Sequence, residues 1–178
     1  NESGSGSNLY QSIDESTPSD SDFCISTDDF GSTDTMRVEL SGVTDPTSAS
    51  DHKVVYRAKG TDPSGFYGIP TLTVTLKQGS TTIATATNSS LSGSFTEYTI
   101  TLSSAEANSI TDYTDLLLEF QRGTNFVGGG ETTSVSYAAF ECPDAAATDN
   151  TEFRVGDRVK ETTTTTGTGT LSLGGAET

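Results

Sequence analysis

One histidine, two cysteines and several acidic runs are the residues of this chain best suited to chemistry. His52 stands alone, with no second histidine and no Cys-x-x-Cys pair. An imidazole acts as a general base or a metal ligand only beside a nucleophile, an orienting carboxylate or further ligands. His52 follows "SASD" at the start of an apolar run, and an exposed or satisfied strand residue accounts for it best. No Gly-x-Ser-x-Gly elbow offers a serine nucleophile. "VGGGE", Val127 to Glu131, lacks the Lys-Ser/Thr and the following helix of a phosphate loop, and reads as a glycine-rich turn.

The acidic runs are the other candidates. "SIDESTPSDSD" carries Asp14, Glu15, Asp20 and Asp22, and "STDDFGSTD" carries Asp28, Asp29 and Asp34. Clustered oxygen ligands suit calcium, which takes about six to eight of them, but neither run has EF-hand spacing or its closing Glu. Solvated loops account for both, and a structural calcium is the functional alternative. Paired carboxylates also serve glycoside hydrolysis. Sugar clefts lean on aromatic platforms, yet the chain has no Trp, and most of its six tyrosines sit at strand positions. "NSS", Asn88 to Ser90, matches a glycosylation acceptor and is expected in a surface loop. Cys24 and Cys142 flank the folded region. A disulfide between them closes a long loop if the first and last core strands are neighbours. Two buried free thiols are the alternative, and spacing does not decide between them.

The elements that must position these residues read as strands. "TLTVTLKQG" alternates strictly, with Leu72, Val74 and Leu76 on one side and threonines on the other. Gly79-Ser80 then links it to "TTIATATN", which predicts a hairpin with a type II′ turn. Further strands are expected at Leu9–Ile13, Asp22–Thr27, Arg37–Leu40, His52–Gly60, Ser94–Leu102, Leu116–Arg122 and Thr133–Pro143. Ser103 or Ser104 with Glu106 signals a capped helix of one or two turns. Strands at this spacing with little helix predict an all-β fold, an antiparallel β-sandwich of jelly-roll type.

The expected organisation is a flexible segment 1–8, a β-sandwich domain 9–144, a linker 145–153 and a Thr/Gly-rich β extension 154–178. The chain opens on Asn1, as a processed chain or a piece of a longer one does. In "ETTTTTGTGTLSLGGA" the alternation through Leu171 and Leu173, without proline, favours an extended element over a plain tail. Formal net charge is −16, which repels nucleic acid phosphates and anionic lipid. No run approaches the ~18 apolar residues of a membrane helix, so neither nucleic acid binding nor membrane insertion is expected.

Several stretches together resemble a β-sandwich module of structural proteins of tailed bacteriophages. They are "SIDESTPSDSDFCIS", "YRAKG", "LTVTLKQGSTTIATAT", "SSAEANSITDYTDLLLEFQ" and "SVSYAAFECPDA", spanning about Tyr10 to Ala145. "DRVKETTTTTGTGTLSLGGA", Asp157 to Ala176, is similar to a phage-protein segment that commonly opens a further β module. The resemblance implies a virion component on a particle surface: a head decoration, head fibre or tail-associated protein. It implies several copies and other virion proteins as partners. It brings no catalytic residue and no cofactor. Cys24 and Cys142 depart from the family pattern, where apolar residues are usual. The C-terminal segment, including Arg158, Val159, Thr164, Thr166, Leu171 and Leu173, is expected to pair in extended form with a neighbouring subunit. The competing expectation is a carbohydrate-binding module for host adhesion, with a surface glycan as ligand and calcium in the acidic loops.

Overall fold

Period-two alternation governs the backbone between Thr35 and Glu141. The computed structural model describes residues 2–3, 9–13, 16–26, 33–65, 68–123 and 130–144. The strands are β1 (Glu2–Ser3), β2 (Cys24–Ile25), β3 (Thr35–Glu39), β4 (Lys53–Thr61), β5 (Leu72–Gln78), β6 (Thr81–Asn88), β7 (Thr96–Thr101), β8 (Leu116–Arg122) and β9 (Thr132–Glu141). One short helix, α1 (Ser104–Asn108), lies between β7 and β8. The chain divides into two units, Asn1–Ala146 and Ala147–Thr178. The expected linker, the Thr/Gly-rich extension and its six assembly residues fall outside the described residues, as do Asp14, Glu15, Asp28 and Asp29.

The strands form two sheets, ordered β1-β2-β9-β4-β7 and β3-β8-β5-β6. Every neighbouring pair is antiparallel except β1 with β2. One physical picture generates this order. Laid out as a long hairpin, the chain pairs β5 with β6, β4 with β7, β3 with β8 and β2 with β9. Wrapping that hairpin on itself then brings β4 beside β9 and β5 beside β8. The result is an all-β antiparallel sandwich, as the spacing predicts.

Inward side chains from both sheets make the core. Val54, Tyr56 and Ala58 of β4 meet Leu72, Val74 and Leu76 of β5 together with Leu116, Leu118 and Phe120 of β8, all buried. Tyr56 stacks on Tyr98 with ring centroids 5.4 Å apart. The Leu116–Leu118 run divides between faces: Leu116 and Leu118 are buried and Leu117 is half-buried. The Gly79-Ser80 turn takes a positive φ at Gly79 alone (+55°), the pattern of a type II′ turn. Two bulges interrupt the ladders, leaving Ser136 out of the β4–β9 register and Ile83 out of the β5–β6 register.

Some elements differ from expectation. Leu9–Ser12 is a 3-10 turn and not a strand. Ile13 follows Tyr10 by three positions and Leu9 by four, a spacing that suits a helical turn. Ile13 is buried, and its carbonyl accepts from the Ala138 amide at 3.4 Å, beyond the short reach of β2. Glu2–Ser3, within the segment expected to be flexible, pairs with Cys24–Ile25. The Asp22–Thr27 strand shrinks to two residues.

Candidate functional site

His52 precedes β4 and is fully buried. Its Nδ1 lies 2.8 Å from the Ser50 carbonyl, which only accepts, so Nδ1 carries the proton. Nε2 then accepts from the Tyr113 hydroxyl at 2.8 Å. Phe140 packs against the ring at 5.8 Å between centroids. Both ring nitrogens are therefore occupied: Nδ1 closes the turn before β4, and Nε2 ties the start of β4 to the segment that leads into β8. Burial raises the Tyr113 hydroxyl pKa, and Asp45 and Cys142 add to the shift. A phenol held in its protonated form is a hydrogen-bond donor and not a nucleophile.

The two thiols do not meet. Cys24 is buried, Cys142 is half-buried, and no disulfide joins them. β2 and β9 are neighbours, but the register puts Cys24 opposite Val135. Seven residues separate Val135 from Cys142, roughly 23 Å along an extended strand, far beyond disulfide reach. Burial raises the Cys142 thiol pKa, and Asp144 and Asp45 raise it further. It is thus poorly ionised at neutral pH and a weak nucleophile.

Of the acidic run that ends in Asp22, Asp20 meets Arg57 of β4 and Ser136 of β9. Asp20 accepts from Arg57 Nε at 3.0 Å and Nη2 at 2.6 Å, and from the Ser136 hydroxyl at 2.9 Å. Hydrogen bonding from Arg57, with help from Ser136, holds its carboxyl below the usual range. Phe23 packs on Phe95 at 5.3 Å, and Lys59 lies over both rings at 4.9 and 4.6 Å. Asp20 is therefore a clamp on β4. Among the described residues no three His, Cys, Asp or Glu side chains converge to hold an ion.

The outer face of the smaller sheet is polar and regular. Thr73 and Thr75 of β5 pair through their hydroxyls with Thr87 and Thr85 of β6, at 2.9 and 3.0 Å. Glu119 of β8 sits between Lys77 and Arg37 and bonds both. Those bonds, Lys77 first, hold its carboxyl below the usual range. Arg122 and Glu131 are both buried where β8 ends and β9 begins, and Arg122 Nη2 donates to the Glu131 carbonyl at 3.0 Å.

One groove opens where β4 and β6 run into their loops. Its volume is about 670 Å³, and Gly60, Thr61, Asp62, Ser89, Ser90 and Leu91 help to line it. Asp62 builds its wall. Oδ1 accepts from the Ser64 amide (3.1 Å), the Ser64 hydroxyl (2.7 Å) and the Gly65 amide (2.8 Å). Oδ2 accepts from the Gly68 amide at 2.8 Å. The groove offers the hydroxyls of Thr61, Ser89 and Ser90 beside the apolar side chains of Ile69 and Leu91. Asn88, the acceptor of the "NSS" motif, is half-buried at the end of β6 and not in an open loop. Its Oδ1 holds the Ser90 amide at 3.0 Å. Burial pushes the Tyr56 hydroxyl up to about 12, Tyr98 adds to the shift, and a hydrogen bond with Asn88 opposes it.

The structure gives the candidates different partners: His52 bonds Tyr113, Asp20 bonds Arg57 and Ser136, and no disulfide joins the two cysteines. Sequence reasoning missed Asp62, Arg57 and the Arg122–Glu131 contact. "TDPSG", an Asp-Pro turn signal at Thr61 to Gly65, is the one local pattern that points to the first of them. Compared with known protein families, with curated proteins and with solved structures, the chain finds no match.

Proposed function

We propose that this chain is a non-enzymatic structural protein of a tailed-phage particle: a head decoration, head fibre or tail-associated component that works in several copies. The observation that carries this reading is the strand order. Strands β2 to β9 form a hairpin wrapped into two four-stranded layers, with β1 added at one edge. We read that order as a jelly roll, a plan used by capsid and lectin domains. A fold alone does not give a function. The choice between the two rests on the phage-like segments from Tyr10 to Ala145 and from Asp157 to Ala176. The polar groups best suited to catalysis being tied into packing is in keeping with a scaffold role. The assembly residues Arg158, Val159, Thr164, Thr166, Leu171 and Leu173 belong to this proposal through the sequence. Light scattering on the eluting full chain, with mass spectrometry of virions of the encoding phage, tests it. Multimers, and peptides of this chain in the particle, are expected. A strict monomer that is absent from particles overturns it.

The groove beside Asp62 favours a second reading, a glycan-binding adhesion module. The hydroxyls of Thr61, Ser89 and Ser90 along it suit sugar hydroxyls, and calcium in the acidic loops is part of this proposal. Glycan-array binding that depends on calcium is the expected result. No retention of any glycan, with no calcium-dependent rise in melting temperature, overturns it.

A further inference from the structure

The outermost strands of the two sheets are not equally protected. β3 carries Arg37 and Glu39, β7 carries Glu97, and β1 is two residues long and carries Glu2. Charges and short length are the usual guards against edge-to-edge pairing. β6, "TTIATATN", is eight residues long and has no charge and no proline. Among the described residues its backbone bonds only to β5. The bulge at Ile83 twists the Thr81 end away and leaves Ala84–Asn88 as the regular part of the edge.

We propose that Ala84–Asn88 of β6 pairs antiparallel with the same strand of a second copy across a two-fold axis. This rests on the multi-copy reading above and names the surface it uses. The sequence of the edge is self-complementary in one register. Ala86 faces Ala86 on the axis, and Thr85 faces Thr87 on each side of it. Thr85 and Thr87 are exposed on the outer face, where their hydroxyls already pair with Thr75 and Thr73. The partner strand extends both rows by one more hydroxyl. Charge leaves this edge open to a second copy. Each chain carries −16, so two copies repel wherever carboxylates meet, and this strand brings none together. Five paired residues bury much less than the roughly 800 Å² per partner of a stable complex. The contact is therefore concentration-dependent, and added salt strengthens it by screening the repulsion.

Sedimentation equilibrium of the full chain across concentration, at about 0.02 M and about 0.5 M NaCl, tests this. The mass is expected to rise toward two copies, and further at the higher salt. Thr87→Glu is expected to stay at one copy while keeping its β-type circular dichroism. Thr101→Glu puts the same charge on the β7 edge and is expected to associate like the parent. A chain carrying Thr87→Cys and Cys142→Ser, labelled with a benzophenone maleimide and mixed with an isotope-labelled copy, is expected to cross-link to residues 84–88 of the other copy. Association that survives Thr87→Glu, or cross-links to any other segment including 145–178, overturns this pairing and leaves the multi-copy reading standing. A parent chain that remains single at every concentration overturns both.

Discussion

At the scale of single residues, buried polar groups decide more than exposed ones. His52 and Tyr113 are 61 positions apart in the chain, and one 2.8 Å hydrogen bond joins them. Tyr113→Phe removes the donor and leaves Nε2 buried and unsatisfied. The expected cost is about 1–3 kcal/mol, read from the urea midpoint at constant slope. Changing both to phenylalanine removes donor and acceptor together, so that double variant should lose less than the sum of the single ones. A value for Tyr113→Phe within error of zero refutes the role. Little of this was legible in the sequence. A lone His before an apolar run reads as an exposed or satisfied strand residue; it lies buried and satisfied just before β4, and its partner depends on where the β7–β8 connection packs. The same holds for Asp20. Its neighbours in the chain are acidic, which suggests calcium, while the residue that neutralises it, Arg57, comes from β4 across the sheet.

At the scale of elements, local signals carried much further. The alternation of Leu72, Val74 and Leu76, the Gly79-Ser80 turn and the span Leu116–Arg122 are where the pattern puts them. Ser103 and Glu106 form a full capping box on α1: the Ser103 hydroxyl accepts from the Glu106 amide, and Glu106 accepts from the Ser103 amide at 2.7 Å. These signals depend on neighbours in the chain, which is why they read correctly. Close approaches between elements do not. A Cβ on Gly60 would lie 1.8 Å from Ile69 Cγ2 and 3.2 Å from Leu91 Cβ. Gly60→Ala is therefore expected to cost about 1–3 kcal/mol by overpacking. Adding Ile69→Ala should recover part of that in chemical denaturation, and an additive loss would place the strain elsewhere. The outer faces supply a pH dependence. Asp20 and Glu119 both have folded pKa values below the ordinary range, through Arg57 and through Lys77 with Arg37. A lowered carboxylate pKa contributes stability above the unfolded value, about 4, and loses it as pH falls through the folded value. Asp20→Asn with Glu119→Gln should thus lower stability at neutral pH and flatten its decline below about pH 4. A decline as steep as in the parent would assign acid sensitivity to other groups.

At the scale of the whole molecule, the wrapped hairpin decides which distant residues meet. It makes β2 and β9 neighbours, the condition for joining Cys24 to Cys142, and then defeats the bond through register. Strand neighbourhood is a property of topology, and alternation hints at it. Register along a two-residue strand is not encoded by any local pattern. The molecule therefore holds together without a covalent tie between β2 and the end of β9. Its stability rests on the core, in a chain with 25 acidic against 9 basic residues. Several of those cations are spent on specific carboxylates: Arg57 on Asp20, Lys77 and Arg37 on Glu119, and Lys53 on Glu141. The remaining negative charge repels itself, more in the compact state than in the extended one. Two readouts from one melting series follow. A thiol reductant is expected to leave the melting temperature unchanged, because it has no disulfide between Cys24 and Cys142 to break. Salt, raised from about 0.02 M to 0.5 M, is expected to raise it by screening the excess carboxylates, since exposed ion pairs lose little in return. If the reductant lowers the melting temperature, the free-thiol geometry is wrong. A fall with salt would mean that the paired cations outweigh the net charge.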